Sequence, residues 1–163
     1  MTPLITIVGK SNSGKTTLLT KLIPEIKKRG YRIGTIKHAH HGFDMDREGK
    51  DSYRLKQAGA EATLVSSPGR IGMVRDEDSE SLMDLKHYLS DMDIIICEGF
   101  KREKVPKIEI FRKDVHQTPL CFDDEDLIAM VTDADVDINV PTFGLSEIEA
   151  LAGFIIENYL RNL

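Results

Sequence analysis

The sequence predicts an α/β fold, with a mainly parallel sheet and helices on both faces. Three observations carry that prediction. Leu4–Val8 is a short apolar run rich in β-branched residues, as expected of a strand buried on both sides. A polar loop bounded by Gly9 and Gly14 follows it, and then apolar residues at helical spacing. Strand-like and helix-like stretches alternate from there on, an order that favours parallel strands joined by crossovers.

From Thr16, the residues Leu18, Leu19, Leu22, Ile23 and Ile26 fall on one helical face. Lys27, Lys28 and Arg29 complement the helix dipole at its C-terminal end, and Gly30 is the expected cap. Pro24 lies too deep for the first turn, so a bend or a lost hydrogen bond is expected there. Residues 31–37 read as a second strand in which Gly34 allows close approach, and residues 38–50 as an aperiodic polar stretch. A short helix is expected at 51–58, stopped by Gly59. Residues 62–66 and 71–74 read as a strand pair around the turn Ser67-Pro68-Gly69. Ser79 is placed to cap a helix running to Leu89, with Leu82, Leu85 and Leu89 on one face. Further strands are expected at 94–97, 107–111 and 128–131. Ser146 and Glu149 form a capping box for a final helix that buries Ile148, Leu151, Ala152, Ile155 and Ile156. With 163 residues and no repeat, low-complexity segment or linker, residues 1–163 are expected to form one domain.

Composition narrows the function classes. Apolar residues are 40% and charged residues 30%, as in an ordinary globular chain. Lys and Arg number 22 against 27 Asp and Glu, a net charge of -5, which argues against a duplex nucleic-acid binder. Cys97 and Cys121 are too few for a disulfide scaffold. No run of 18 apolar residues and no signal-peptide pattern is present, so a cytoplasmic protein without membrane or nucleic-acid partners is expected.

Gly9-Lys10-Ser11-Asn12-Ser13-Gly14-Lys15-Thr16 matches the phosphate-binding loop G-x-x-x-x-G-K-[ST], in the right place between a strand and a helix. The glycines let backbone N–H groups point inward at phosphate oxygens, and the helix N-terminus adds its positive end. Lys15 is expected to meet the β- and γ-phosphates, the Thr16 hydroxyl to reach Mg²⁺, and Thr17 to donate to the α-phosphate. Mg²⁺ needs a second anchor, an acid leaving a neighbouring strand at its carboxyl end. Glu98 fits this, through a water, whereas Asp93 enters the same strand and belongs at the opposite edge. The plainer alternative is that Glu98 caps or pairs with a base such as Lys101. Lys15 and Glu98 are the candidate catalytic residues.

With these residues in view, the chain resembles the MobB family, GTP-binding adapters of molybdopterin-guanine dinucleotide biosynthesis. The likeness rests on the phosphate loop, the KHAHHGFDMDREGKDSYR stretch at 37–54 leading to Ala58-Gly59-Ala60, and Glu98-Gly99-Phe100-Lys101. It covers about the first two thirds of the chain. The resemblance implies a P-loop NTPase fold, GTP and Mg²⁺ as ligands, and a homodimer. It also implies partnership with the guanylyltransferase that joins GMP to molybdopterin.

The middle stretch follows the second strand, where P-loop proteins carry a nucleotide-sensing segment. If it closes over the γ-phosphate, Lys37 and Lys50 meet phosphates and Asp46 reaches the metal shell, with Gly42 and Gly49 as hinges. A solvated charged loop is the alternative. His38, His40 and His41 stand together, as ligands for a transition metal or as contacts for an anionic pterin phosphate. Base choice points to Thr132-Asp133-Ala134-Asp135, where Asp135 occupies the guanine-reading position of [NT]-K-x-D. Asp133 replaces the usual Lys and is a rival reader. Six bases between Lys101 and Lys113 precede seven acids between Cys121 and Val140, a sign asymmetry suited to an interface or to a solvated face.

The expected function is a GTP-binding adapter with weak Mg²⁺-dependent hydrolysis, since no glutamine or arginine finger for water activation stands out. Two rivals differ in class. One is a small-molecule P-loop kinase, for which Arg70 and Arg75 are the central arginines on offer. The other is a metallochaperone GTPase using the histidines.

Overall fold

The computed structural model describes residues 2–39, 42–43, 45–79 and 81–161. In chain order the elements are β1 (Leu4–Val8), α1 (Lys15–Lys28), β2 (Ile33–Lys37), α2 (Asp51–Gln57), β3 (Ala62–Ser67), β4 (Arg70–Arg75), α3 (Leu82–Leu85), β5 (Ile94–Glu98), β6 (Lys107–Phe111), β7 (Leu127–Thr132), β8 (Thr142–Phe143) and α4 (Ile148–Tyr159). They form two compact units, one of residues up to His38 with those from Leu85 onward, the other Ala39–Asp84.

The first unit is built on a six-stranded sheet in the order β2-β5-β1-β6-β7-β8, with every pairing parallel. Strand pleat divides its residues between two faces. Ile5, Ile7, Ile94, Ile96, Ile108, Ile110, Ala129 and Val131 pack in one core with Leu18, Leu19, Leu22 and Ile26 of α1 and Leu151, Ala152, Ile155 and Ile156 of α4. Each of the fully buried Ile, Leu and Val side chains contributes about 1.5–3 kcal/mol. A second core of Val8, Phe111, Cys121, Leu127 and Met130 lies on the opposite face. On that face, near β2, a 3-10 turn at Lys86–Leu89 closes over Gly34, where a Cβ would meet the Leu89 side chain at 2.9 Å. The close approach read from Gly34 is therefore present.

Helix α1 runs unbroken through Pro24, which supplies no N–H to its turn. Gly30, at φ 93°, donates to the Lys27 carbonyl at 3.0 Å and ends the helix as its sequence position indicated. Two caps differ from expectation. The helix expected from Ser79 to Leu89 is only one α turn followed by the 3-10 turn. Ser79 Oγ accepts the Ser81 N–H, Ser81 Oγ accepts the Met83 N–H, and these local bonds compete with a longer helix. The Ser146–Glu149 capping box is also not formed. Instead the Glu147 carboxylate accepts the Gly144 N–H at 2.6 Å, so the acid fixes the preceding turn. The two-residue strand β8 has no signal in the sequence.

The second unit is a two-stranded antiparallel ribbon, β3 with β4, turned at Ser67–Arg70, together with α2. Lys56 of α2 pairs with Asp76 just beyond β4.

Candidate functional site

The strand order places β1 between β5 and β6, so chain segments leaving all three emerge at one carboxyl edge. In open parallel sheets this edge, where the order reverses direction, is where ligands bind. The glycine-bounded loop 9–16 leaves β1 there. Gly9 takes φ 150°, Asn12 φ 64° and Gly14 φ 99°. A Cβ on Gly9 would meet the Ile110 carbonyl oxygen at 2.6 Å and Ser13 Oγ at 2.7 Å, so only glycine fits under the loop. Ser13 donates its N–H to the Lys10 carbonyl at 3.2 Å, and its buried hydroxyl has no hydrogen-bond partner among the described residues. Gly14 starts α1, its carbonyl accepting the Leu18 N–H at 2.8 Å.

Lys15 bends back over the loop and donates to the Gly9 and Lys10 carbonyls, each at 2.9 Å. Burial draws its ammonium below the ordinary lysine range; Glu98 opposes that shift and Lys37 adds to it. The Thr16 hydroxyl donates to Glu98 Oε2 at 2.8 Å, and Lys37 Nζ lies 3.6 Å from Glu98 Oε1. Three strand ends thus bring together Lys15 and Thr16 after β1, Lys37 at the end of β2, and Glu98 at the end of β5. Asp93 lies at the other edge, as expected, accepting the Arg32 N–H at 2.6 Å. Glu98 pairs with Lys37, not with Lys101.

After Glu98, Gly99 (φ 99°) and Phe100 (φ 54°) turn the chain sharply. The turn lays the buried Phe100 ring on His38, with centroids 4.7 Å apart and planes at 20°. No local sequence pattern assigns Phe100 this contact. Of the three clustered histidines, His40 and His41 lie outside the described residues. No group of three or more His, Cys, Asp or Glu suited to a metal is found among the described residues. Burial pushes the Cys97 thiol, one residue before Glu98, up to about 12, so it stays protonated.

Asp46 belongs to the unit Ala39–Asp84, where its Oδ1 accepts the Arg47 N–H at 2.8 Å and the Ser52 hydroxyl at 2.9 Å. Arg70 and Arg75 begin and end β4 in that unit. Asp135 is exposed on the loop that leaves β7 at the same edge as the phosphate loop. Its rival Asp133 is engaged structurally, accepting the Lys113 N–H at 3.1 Å and facing Arg112 Nε at 3.4 Å. The charge asymmetry is partly spent inside the fold: buried Lys107 pairs with Asp124 and Asp126 at 3.1 and 3.2 Å.

The donor set fits a nucleotide with Mg²⁺. A hydroxyl and a carboxylate, Thr16 and Glu98, are the hard oxygen ligands this ion prefers, and they sit beside a loop whose N–H groups and lysine suit phosphate. The arrangement is suited to hold and polarise a phosphate chain, and among the described residues the side chains hydrogen-bonded or ion-paired within this cluster are Lys15, Thr16, Lys37 and Glu98.

A family model described as molybdopterin guanine dinucleotide synthesis protein B matches residues 4–133. The chain is 40% identical to the molybdopterin-guanine dinucleotide biosynthesis adapter protein of Escherichia coli K12, over 96% of this chain and 93% of that one. It is 37% identical to the Haemophilus influenzae protein of the same description, over 98% and 90%. A crystal structure of molybdopterin-guanine biosynthesis protein B superposes with a TM-score of 0.75 at 30% identity, covering 94% of this chain and 98% of that one.

Proposed function

The chain belongs to the MobB family, and from that premise we propose that it is a GTP-binding adapter that assists guanylyl transfer to molybdopterin and hydrolyses GTP only slowly. The adapter's place in molybdopterin-guanine dinucleotide biosynthesis is the family's own. The single observation that supports nucleotide binding is the cluster of Lys15, Thr16, Lys37 and Glu98 at one sheet edge.

In this reading the N–H groups of residues 10–16 hold the phosphates, and Lys15 exchanges its bonds to the Gly9 and Lys10 carbonyls for phosphate oxygens. Thr16 and Glu98 hold Mg²⁺, which neutralises phosphate charge when bound. Lys37 balances the Glu98 carboxylate. Asp135, with its carboxylate not tied into the fold as that of Asp133 is, reads the guanine edge. The cytoplasmic partner is the molybdopterin guanylyltransferase, which this chain serves as a homodimer. Nucleotide occupancy, and not turnover, controls that docking.

The test is a competition of GTP, ATP and molybdopterin for the purified protein with Mg²⁺, followed by release of phosphate. Selective, Mg²⁺-dependent GTP binding with slow release supports the reading. Hydrolysis at many turnovers per second without a partner would overturn the adapter role, and phosphate transfer to a small molecule would make the protein a kinase.

A further inference from the structure

The segment between β6 and β7 runs beside the phosphate loop and is clamped at both ends. At its start, Asp133 accepts the Lys113 N–H at 3.1 Å and faces Arg112 Nε at 3.4 Å. At its return, Glu109, buried in the middle of β6, uses both carboxylate oxygens: Oε1 accepts the Leu120 N–H at 2.7 Å and Oε2 the Cys121 N–H at 2.8 Å. Between the clamps the chain turns, with the Val115 and His116 N–H groups both donating to the Arg112 carbonyl at 3.0 Å. That turn brings His116 Nε2 to 3.4 Å from the Ser11 carbonyl oxygen of the phosphate loop.

A buried carboxylate in a strand core is costly unless its oxygens are satisfied. Here the two backbone amides of one strap satisfy it, and the strap's hydrogen bond to the phosphate loop among the described residues comes from a histidine. A carbonyl only accepts, so Nε2 carries a proton in this contact. The direction matters for anion binding. A loop that cradles phosphate presents N–H groups and must turn its carbonyls away. A donor that holds the Ser11 carbonyl on the outside favours that orientation, next to Asn12 at its left-handed φ of 64°.

We infer that His116 is a positioning residue for the phosphate-binding loop, laid against Ser11 by a strap that Glu109 and Asp133 clamp. The assignment rests on the nucleotide reading above for its functional consequence, but not for the geometry it describes. Nothing in the sequence pattern marks His116. Glu109 is marked only as the one acid in an otherwise buried strand.

The test compares wild type with His116→Ala and His116→Gln, whose amide keeps a donor. Two readouts are taken. One is backbone amide hydrogen exchange across residues 9–14 and 112–121 of the nucleotide-free protein. The other is affinity for a fluorescent GTP analogue with Mg²⁺. Losing one such bond is expected to weaken affinity about three- to tenfold. In His116→Ala the loop 9–14 exchanges faster and affinity falls by that factor, while thermal stability is little changed; His116→Gln restores both. Unchanged loop exchange in His116→Ala, or failure of His116→Gln to restore it, overturns the inference whatever the nucleotide result. A wild type that binds no GTP refutes the nucleotide reading instead, and loop exchange still decides the role of His116.

Discussion

The Thr16 hydroxyl donates to the Glu98 carboxylate across 2.8 Å, tying the first turn of α1 to the end of β5. The two residues are far apart in sequence, and adjacent parallel strands bring them together. If they share Mg²⁺, Glu98→Gln preserves the shape and a hydrogen-bond acceptor but removes the charge. GTP affinity should fall about tenfold or more with Mg²⁺ present, a loss of about 1.4 kcal/mol or more. It should change little in a chelator. Parallel titrations of a fluorescent GTP analogue with Mg²⁺ and with EDTA check this; an equal loss in both conditions would count against the metal role.

Lys15 presents a conflict between function and stability. Its ammonium is partly buried and its pKa is lowered, chiefly by burial. A base whose folded pKa lies below its unfolded value disfavours the fold at neutral pH, and folding gains as pH rises through the folded value towards the unfolded one. Lys15→Met should therefore abolish GTP binding while leaving the nucleotide-free Tm equal to or slightly above wild type at pH 7. Thermal scans with and without GTP and Mg²⁺ read both effects, and retention of a GTP-induced Tm shift in the variant would refute the phosphate-loop assignment.

Gly9→Ala is expected to fail for steric reasons before chemistry is considered. Its Cβ would lie 2.6 Å from the Ile110 backbone oxygen, and the φ of 150° adds strain. Overpacking of this kind costs about 1–3 kcal/mol. Urea denaturation should show a lower midpoint with an unchanged slope. A wild-type midpoint would mean that the loop and β6 are less closely packed than described.

Glu109 should leave a signature in the pH dependence of stability. Burial raises its pKa, and the amides of Leu120 and Cys121 only partly oppose that. An acid whose folded pKa lies above its unfolded value favours the folded state at low pH. That contribution is lost as pH rises from the unfolded value, near 4.5, through the folded one. Relative to Glu109→Gln, wild type should lose stability across this window and then level off. Urea titrations of both proteins between acid and neutral pH test the sign; a difference that grows in favour of wild type would contradict it.

If the chain selects guanine, two neighbouring acids differ in their fitness to read it. Asp133 is tied to Lys113 and Arg112, whereas Asp135 is exposed at the same loop. Asp135→Asn should narrow the preference for GTP over ATP by about tenfold, the scale of a lost charge-assisted bond. Asp133→Asn should affect the two nucleotides alike. Competition binding of both against one labelled nucleotide distinguishes them.

Local signals carried much of this fold. Leu4–Val8, the glycines of the loop and the periodicity of α1 specify their own geometry, so the phosphate loop and its flanking elements were legible directly. Glu98 was legible because parallel sheets place strand-end acids at one edge. The helix expected from Ser79 to Leu89 was overestimated because the leucine spacing spoke louder than the competing serine hydroxyls. The Ser146–Glu149 capping box had the right letters but is not formed, and the neighbouring Glu147 instead accepts the Gly144 N–H of the preceding turn. His116 and Phe100 were not legible at all. Their contacts depend on which strands are neighbours, and that order is not written in any short window of sequence.

The sheet order has a consequence for biosynthesis. β1, made first, has β5 and β6 as its partners, and these begin only at Ile94 and Lys107. The ribbon β3–β4 pairs through a short turn, so its strands need only nearby chain to meet. Contacts between distant segments form late because the intervening chain must first be ordered. The packing of the phosphate loop against β6 therefore cannot form before β6 itself has been made. A chain truncated before β6 carries the complete loop sequence but lacks the Ile110 backbone against which Gly9 packs.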